Sequence, residues 1–490
     1  MKPAWAWPAV IVLGGLALRM FRLDFQDVWF DEAFSITASV QPLARVTEAL
    51  VMDFVHPPLH SYLLHYWLGV LGVGDFQGRL LSVAFGTLAI VMIYFLAKYL
   101  FDRRTAILAA FLLAVSHLGV MYSQEARPYA QFLFLVLATT YLLVRALRER
   151  RTRLWWMAGL SAVAMLYTHY YGWAVFGCLA LFVALVRKRY AVPLAGCVLS
   201  LGIALAAYLP WLATGVLQVA LRSEKIANHA ALPSTQVYFW SAPSALNWFN
   251  NGKFFGVQEA SPWWTFLAGG LLFTVPALVA LVPLLRAGED GEAGRKPREA
   301  LILLGSLWLL AFVLMLVSSL ARVQFFVRYV AFAIGPYYVL AARGIAGIGW
   351  RGARVLVCAA ILLYSSGALR SHYTIPYKGQ RREALAYMAS QYRDGDCTVF
   401  ESAQRHGNVP LQWQIYQRDL PPPRVEGLDA VASGQARCGR VWFVWSYPAS
   451  NYRDQDLEEH ASSKLNRSYQ RSSTKRFART KIELFLPKQP

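Results

Sequence analysis

Charged side chains are scarce in this sequence. Only 16% of the residues are Asp, Glu, Lys or Arg, compared with about 25% in ordinary soluble domains, and 57% are hydrophobic. Apolar runs long enough to cross a lipid bilayer recur through the first three quarters of the chain. This composition excludes a typical soluble protein and predicts a polytopic membrane protein.

Acidic residues are scarcer still, with 28 Asp and Glu against 48 Lys and Arg and a formal net charge of +20. Such an excess could suggest a nucleic-acid partner, but the basic residues occur in short clusters between apolar runs. That distribution is typical of cytoplasmic loops. We therefore expect contacts with membrane lipids and no nucleic-acid partner. The basic clusters are residues 101–104, 145–153, 186–190, 286–299 and 342–354.

Cysteine is rare as well. The five cysteines lack the spacing of a metal site, and Cys178, Cys197 and Cys358 lie in apolar runs, where they are most simply packing residues. Cys397 and Cys438 lie in the C-terminal tail, where an oxidising exterior would allow them to pair. The sequence also contains no internal repeat and no low-complexity segment.

Eleven apolar segments are predicted to cross the membrane. The first resembles a signal sequence, but no small-residue cleavage site follows it, so we expect a retained span. The run at 56–72 is short, begins with His-Pro-Pro and contains three histidines, and we expect it to lie along the membrane. The predicted spans are residues 4–21, 79–100, 105–122, 129–147, 154–170, 172–187, 191–213, 263–285, 300–320, 326–342 and 354–369.

Alternation from a cytoplasmic N-terminus places every basic cluster on the cytoplasmic side, as the positive-inside rule requires. Two long loops, 22–78 and 214–262, then lie outside, as does everything after residue 370. The predicted fold class is therefore mainly α, with a polytopic membrane domain over 1–370 and a small extracytoplasmic domain over 371–490.

The tail changes character after the last span. A helical pattern at 381–396 precedes strand-like runs at 397–402, 440–448 and 481–487, which are rich in β-formers and bounded by Gly, Asp and Pro. This order predicts a small α/β domain.

The same topology brings polar residues from distant segments to the outer side. The most conspicuous are two adjacent acids in "VWFDEAFS", residues 28–35, among aromatic neighbours. Ionisable residues at such a boundary are costly and indicate function by default. The candidate set is Asp31, Glu32, His56, Glu125, Arg127, His169 and Arg328.

These residue types suit transfer of a group from a phosphate. A carboxylate near an apolar wall could accept a proton from a hydroxyl, while the adjacent acid orients it or binds substrate. A phosphate leaving group is already an anion and needs no proton, so one base is enough. His56, at the start of a helix, and Arg328 both suit a phosphate.

Each feature also has a simpler explanation. The acid pair could be solvated surface residues, and the prolines after His56 could merely start a helix. The arginines could extend to lipid headgroups. A divalent cation held by His56, His60 and the acids is possible, but we expect no required metal or cofactor.

Several motifs resemble family 39 of the GT-C class of membrane glycosyltransferases, the bacterial protein-mannosyltransferase-like enzymes. This group includes aminoarabinose transferases of lipid A and rhizobial core-sugar transferases. The resemblance covers residues 1–190 and 325–400. The matching segments are "WFDEAFS", "HPPLHSYLLHYW", "GRLLSVAFGTLAIV", "YSQEARPYAQFLFL" and, more loosely, "RYVAFAIGPYYVLAARG" followed by "KGQRREALAYMASQYRDGD".

The resemblance implies an enzyme of the bacterial inner membrane. Such enzymes take a sugar from a polyprenyl-phosphate donor and transfer it, usually with inversion, on the non-cytoplasmic face. The acceptor could be a lipid, a glycan or a protein. Asp31 would be the base, with Glu32 beside it. The residues matched to donor and phosphate binding are His56, Glu125, Arg127 and, more loosely, Arg328.

Two other functions stay open at this point. A transporter or flippase of a lipid-linked sugar would place ionisable residues near the bilayer midplane, often in two repeats, whereas these acids cluster at one face. A non-catalytic relative would use its outer domain to bind glycan or a partner protein. We also expect that removing residues 376–490 changes acceptor use or stability more than donor hydrolysis.

Overall fold

A computed structural model describes most of the chain. Much of the predicted outer loop at 214–262 lies outside the described residues. The described ranges are 5–53, 55–216, 242–251, 263–285, 292–321, 325–402, 411–416, 424–446, 459 and 462–488.

Helices dominate the chain up to residue 374, as the apolar composition predicts. Every predicted span coincides with helical structure in the described residues. The α-helices are Ala6–Met20 (α1), Phe30–Ser39 (α2), Leu43–Asp53 (α3), Leu59–Leu71 (α4), Asp75–Leu100 (α5), Arg103–Val115 (α6), His117–Ser123 (α7), Tyr129–Glu149 (α8), Thr152–Leu166 (α9), Gly172–Val186 (α10), Leu194–Trp211 (α11), Ala242–Asn251 (α12), Trp263–Gly269 (α13), Val275–Leu281 (α14), Glu292–Leu320 (α15), Ile334–Ala346 (α16) and Arg351–Thr374 (α17).

The number of membrane spans is only partly as predicted. Six described segments are long and apolar enough to cross a bilayer, or seven if the bent pair α6–α7 forms one span. Helices α1 and α10 are apolar but have only 15 residues each, fewer than the ~20 that a bilayer core needs. Helix α4, which covers the run expected to lie along the membrane, has 13 residues and is not among these spans. The six are Asp75–Leu100, Tyr129–Glu149, Trp264–Leu285, Arg295–Leu320, Val327–Ala346 and Arg351–Thr374.

The acid Glu32 and the basic cluster at 145–153 lie at opposite ends of helix α5. Helix α5 has 26 residues and is therefore about 39 Å long. Near its start Arg79 pairs with Glu32, whereas near its end the backbone carbonyl of Tyr99 accepts a hydrogen bond from Arg148. This separation is the arrangement that the positive-inside rule predicts. The orientation of the bundle in a membrane stays a prediction.

A break between α6 and α7 shapes the end of the bundle that carries the acids. Ser116 is extended, its hydroxyl caps α7, and the two helices meet at 60°. The buried guanidinium of Arg19 donates to the carbonyls of Leu113 and Ala114, which the break deprives of helical partners. Gln124 in turn donates to the carbonyls of Arg19, in the last turn of α1, and of Phe21, just after the helix. These bonds place the turn after α7 beside the first loop.

The tail contains a four-stranded sheet, so the predicted α/β unit is confirmed. The elements of the tail are Arg381–Ala389 (α18), Cys397–Ser402 (β1), Leu411–Tyr416 (α19), Leu428–Ala432 (α20), Val441–Ser446 (β2), Tyr469–Phe477 (β3) and Thr480–Pro487 (β4). Strands β1 and β2 are parallel and the other neighbours antiparallel, in the order β1-β2-β4-β3. The alternation of the strands separates two apolar faces, one of which packs against α18.

Strand β3 is the one strand in the described tail that the sequence analysis missed. Its sequence, "YQRSSTKRF", has neither an apolar run nor apolar alternation, because most of its side chains are exposed. The strand lies at the edge of the sheet and pairs only with β4 among the described strands. Polar and basic side chains are typical of such edges, since they discourage pairing with another chain.

The tail packs directly against the first loop. The hydroxyl of Tyr416 accepts the backbone N–H of Val28 at 2.8 Å, and Arg382 pairs with Asp75. The side-chain amide of Gln26 donates to the carbonyls of His372 and Ile375, where α17 ends. The loop that carries the acid pair is therefore held between the bundle and the tail.

The two tail cysteines form a disulfide, as an oxidising exterior would allow. The bond joins Cys397, at the start of β1, to Cys438 in the segment before β2, across 41 residues of sequence. Closing a loop of that length removes unfolded conformations and stabilises the folded tail by about 4 kcal/mol.

Replacing Cys397 and Cys438 by serine is expected to lower the free energy of unfolding of the tail by about this amount. Thermal unfolding of the purified protein measures the change, and Cys358→Ser in α17 serves as the control because Cys358 is a free thiol. Alkylation before and after reduction checks the bond itself. Equal labelling under both conditions would refute it.

Candidate active site

Two adjacent acids begin helix α2 and have different surroundings. Asp31 and Glu32 lie in its first turn, where the helix dipole favours negative charge. The side chain of Asp31 is 22% exposed, whereas that of Glu32 has no exposed surface. Successive helical residues point in directions about 100° apart, so one carboxylate faces the interior and the other reaches the surface of the site.

Glu32 forms a buried salt bridge with Arg79 of α5. Nε and Nη2 of Arg79 donate to the two carboxylate oxygens at 2.9 and 3.2 Å. The remaining terminal nitrogen donates to the carbonyls of Leu23 and Gln26, both at 2.8 Å. Arg79 therefore holds the acid and the loop that precedes it.

A lysine of the tail links Glu32 to the second acidic motif. Nζ of Lys378 lies 2.9 Å from Glu32 and 2.8 Å from Glu125. The backbone N–H of Ala126 also donates to Glu32, at 3.1 Å. Three segments far apart in sequence thus meet at one buried carboxylate.

The charges around Glu32 decide its protonation. Burial alone would raise the pKa of Glu32, but Arg79 and Lys378 outweigh it and lower the pKa to about 2. A carboxyl whose pKa falls on folding stabilises the protein above its ordinary pKa, and this contribution disappears as the pH falls towards 2. Burial raises the pKa of Glu125. The positive charge of Lys378 opposes this rise, and the negative charge of Glu32 adds to it.

Two arginines contact the more accessible acid. Nη2 of Arg328 donates to Oδ2 of Asp31 at 3.1 Å, and Nη2 of Arg127 lies 3.9 Å from the same oxygen. Arg127 also donates to the backbone carbonyl of Asp31 and to the hydroxyl of Ser35. Arg328 comes from the 3-10 segment Val327–Ala333 that leads into α16. It lies over the rings of Trp29 and Phe326, which fix the plane of its guanidinium.

Two histidines extend the site beside these arginines. The rings of His56 and His169 lie 5.0 Å apart, and His56 also faces the rings of Tyr129 and Tyr329. Burial lowers the pKa of His56 well below its usual range, and Arg127 adds to this effect, so the ring is neutral at pH 7. The backbone N–H of Tyr171 donates to Nδ1 of His169, so a neutral His169 carries its proton on Nε2.

Several buried polar atoms around this site have no hydrogen-bond partner in the part of the chain that the structure describes. Such atoms are rare in native proteins, because each one costs free energy unless water or a ligand satisfies it. Their concentration here indicates a surface shaped for a polar ligand. They are both ring nitrogens of His56, Nε2 of His169, Nε of Arg127, Nε of Arg328, the hydroxyl of Tyr129 and Oε2 of Glu125.

All seven candidate residues from the sequence lie at one end of the bundle, linked by direct contacts or short chains of neighbours. The sequence analysis did not single out Arg79 or Lys378, although both lie in segments that it quoted. A signal for Arg79 was available, because an arginine near the start of an apolar span requires a partner. Lys378 carried no such signal, since a lysine in a polar tail needs no explanation.

The described residues contain no group of three His, Cys, Asp or Glu side chains placed to hold a metal ion. His60, considered as a ligand, instead donates from Nδ1 to Gln131, whose own amide donates to Thr168. The expectation that no metal or cofactor is required stays a prediction.

Sequence comparison supports the resemblance seen in the motifs. Residues 55–213 match the family described as dolichyl-phosphate-mannose-protein mannosyltransferase. This match confirms the predicted family resemblance and the enzyme class, a membrane glycosyltransferase, and favours it over a transporter. No curated protein matches the sequence.

Solved structures share the fold at low sequence identity. The ArnT structure of Cupriavidus metallidurans bound to undecaprenyl phosphate has a TM-score of 0.60 and 14% identity, with 98% of each chain covered. The archaeal oligosaccharyltransferase AglB of Archaeoglobus fulgidus, in complex with an inhibitory peptide and a dolichol-phosphate, has a TM-score of 0.51 and 12% identity. The match covers all of this chain and 75% of the AglB chain. The chain therefore has an ArnT-like GT-C fold.

Replacing Arg79 by methionine would leave Glu32 buried with a single cation. We expect the free energy of unfolding to fall by about 3–5 kcal/mol, because removing one partner of a buried pair leaves an uncompensated charge. Thermal unfolding in detergent measures the loss. Arg45→Met, which breaks an exposed pair with Glu48, is the matched control. Equal melting temperatures for the two variants would contradict this role of Arg79.

Proposed function

We propose that this membrane glycosyltransferase transfers a sugar from a polyprenyl-phosphate donor to a hydroxyl of a lipid, glycan or protein, with inversion. The observation that supports this most directly is the contact of one accessible carboxylate, Asp31, with two arginines suited to a phosphate. The lipid phosphates in the similar ArnT and AglB structures support the donor class. We place the reaction on the extracytoplasmic face of the bacterial inner membrane.

Asp31 is the general base in this proposal. Its carboxylate is the more exposed of the pair and can reach a hydroxyl, whereas Glu32 has no surface to offer a substrate. A base needs to lie within hydrogen-bond distance of the proton that it removes. Glu32 therefore acts by holding the first turn of α2 in place, and we assign it positioning rather than proton transfer.

Arg328, Arg127 and His56 bind the donor phosphate. One edge of the Arg328 guanidinium contacts Asp31, and its Nε is without a partner in the described residues. The planar fork of an arginine can bind two oxyanions at different edges. Arg328 can thus hold the phosphate a fixed distance from the base, with the sugar between them. A neutral His56 contributes one N–H donor.

The chemical step requires one proton transfer. The acceptor oxygen attacks the anomeric carbon as Asp31 takes the hydroxyl proton. The bond from that carbon to the phosphate oxygen breaks, and its electron pair leaves with the polyprenyl phosphate. The arginines neutralise the charge that develops there, and such fixed charges are effective in a site shielded from water.

Asp31→Asn is expected to lower transfer at least a hundredfold while folding and binding of undecaprenyl phosphate are retained, because the amide keeps the shape but cannot accept the proton. Mass spectrometry of surface glycans and lipid-linked sugars measures transfer in cells that lack the wild-type gene. Asp24→Asn, at an exposed acid of the same loop, is the control. Normal glycan products from Asp31→Asn would refute the assignment.

Arg328→Met is expected to weaken binding of undecaprenyl phosphate by about 10- to 100-fold, since a hydrogen bond between charged groups contributes about 1.5–3 kcal/mol. Arg328→Lys should bind with intermediate affinity because it keeps the charge but loses the fork. Titration of the purified protein with the lipid measures both. The exposed Arg370 of α17 supplies the control, Arg370→Met. Unchanged affinity in Arg328→Met would remove Arg328 from the phosphate site.

A further inference from the structure

The residue that links the acids of the site belongs to the tail. Lys378 lies four residues beyond the end of α17 and three before α18, in the segment that connects the bundle to the α/β domain. Its side chain is only 7% exposed and contacts both Glu32 and Glu125. A lysine is rarely buried this far unless its charge is paired.

The position of this lysine is set by contacts of the tail with the first loop. Gln26 accepts the backbone N–H of Lys378 at 3.4 Å and donates to the carbonyls of His372 and Ile375. Three residues later, the backbone N–H of Arg381 donates to Asp27. The connecting segment therefore runs against the residues just before the acid pair, so that tail and acid loop hold each other.

Lys378 also balances charge inside the protein. Both carboxylates lie within 2.9 Å of the same nitrogen, so Glu32 and Glu125 are less than about 6 Å apart. At that distance two buried carboxylates repel each other strongly. With Arg79 and Lys378 present the cluster has two positive and two negative charges, and without Lys378 it has an excess negative charge.

We propose that Lys378 is a positioning residue for sugar transfer, through which the C-terminal domain completes the active site formed by the membrane helices. It acts through Glu32, which shares the first turn of α2 with Asp31. The proposal rests on the function proposed above and adds a role for the tail. It gives the expectation that removing residues 376–490 changes acceptor use or stability more than donor hydrolysis a second physical consequence, because that truncation also removes Lys378.

The test compares three variants for transfer and for binding. Membranes from cells without the gene contain the natural donor and acceptor, and purified protein is added to them. Lys378→Met is expected to lower transfer at least tenfold, while its affinity for undecaprenyl phosphate stays within threefold of the wild type. Lys378→Arg, which keeps the charge, should retain at least a third of the activity. Lys464→Met removes an exposed tail pair with Asp429 and should change neither quantity.

The pH dependence separates an electrostatic role from a merely structural one. The charged and titratable groups that act on Glu125 are Lys378, Glu32, Arg328, Tyr122 and Tyr377. Lys378 opposes the raised pKa of Glu125 more strongly than Arg328 does, so removal of the lysine should raise that pKa further. Below the new pKa Glu125 is protonated and neutral, which compensates for the positive charge lost with Lys378. Above it Glu32 and Glu125 are both ionised, and the cluster carries its full excess of negative charge. The activity deficit of Lys378→Met should therefore be smaller at pH 6 than at pH 8.

Three results would overturn the proposal: wild-type transfer by Lys378→Met, a deficit that does not depend on pH, or no recovery in Lys378→Arg. If Lys378→Met does not fold, Lys378→Gln is measured instead. Its amide can still donate a hydrogen bond to one carboxylate, which favours folding. It also lacks the positive charge, so the same loss of transfer is expected. A wild-type protein that transfers no sugar would instead contradict the proposed function.

Discussion

The buried carboxylate of Glu32 is the constraint on which the site depends. An ion without a partner is too costly to bury, so folding must bring Arg79 and Lys378 to this one side chain. Arg79 lies near the start of a long helix of the bundle, Lys378 lies in the segment that connects the bundle to the tail sheet, and Ala126 adds a backbone donor from the turn between α7 and α8. Satisfying one acid therefore fixes the relative positions of four segments.

The adjacent acids have separate tasks because of helix geometry. Glu32 points into the protein and is fully paired, while Asp31 lies at the surface of the site and faces Arg127 and Arg328. A reactive carboxylate works best when its backbone does not move. The inner acid supplies that rigidity without occupying space that a substrate needs.

The tail is attached at the point where the acid loop is held. Gln26 contacts the end of α17, and Asp27 contacts the start of α18. Val28 contacts Tyr416 of α19. These bonds use consecutive residues immediately before the acid pair. A displacement of the tail would thus be felt first at the residues that position Asp31.

Local patterns in the sequence were enough to predict helices at the apolar segments, three of the four strands, the resemblance to a glycosyltransferase family and the two arginines that face Asp31. Apolar length, alternation and motifs are properties of short segments, and these predictions needed nothing more. The edge strand β3 escaped because exposed strands lack alternation. The partners of Glu32 and the entry of the tail into the site depend on contacts between residues 47 and 346 positions apart. Only the tertiary structure determines these contacts, because a buried charge is paired with whichever opposite charge lies close in space, however far away it is in the sequence.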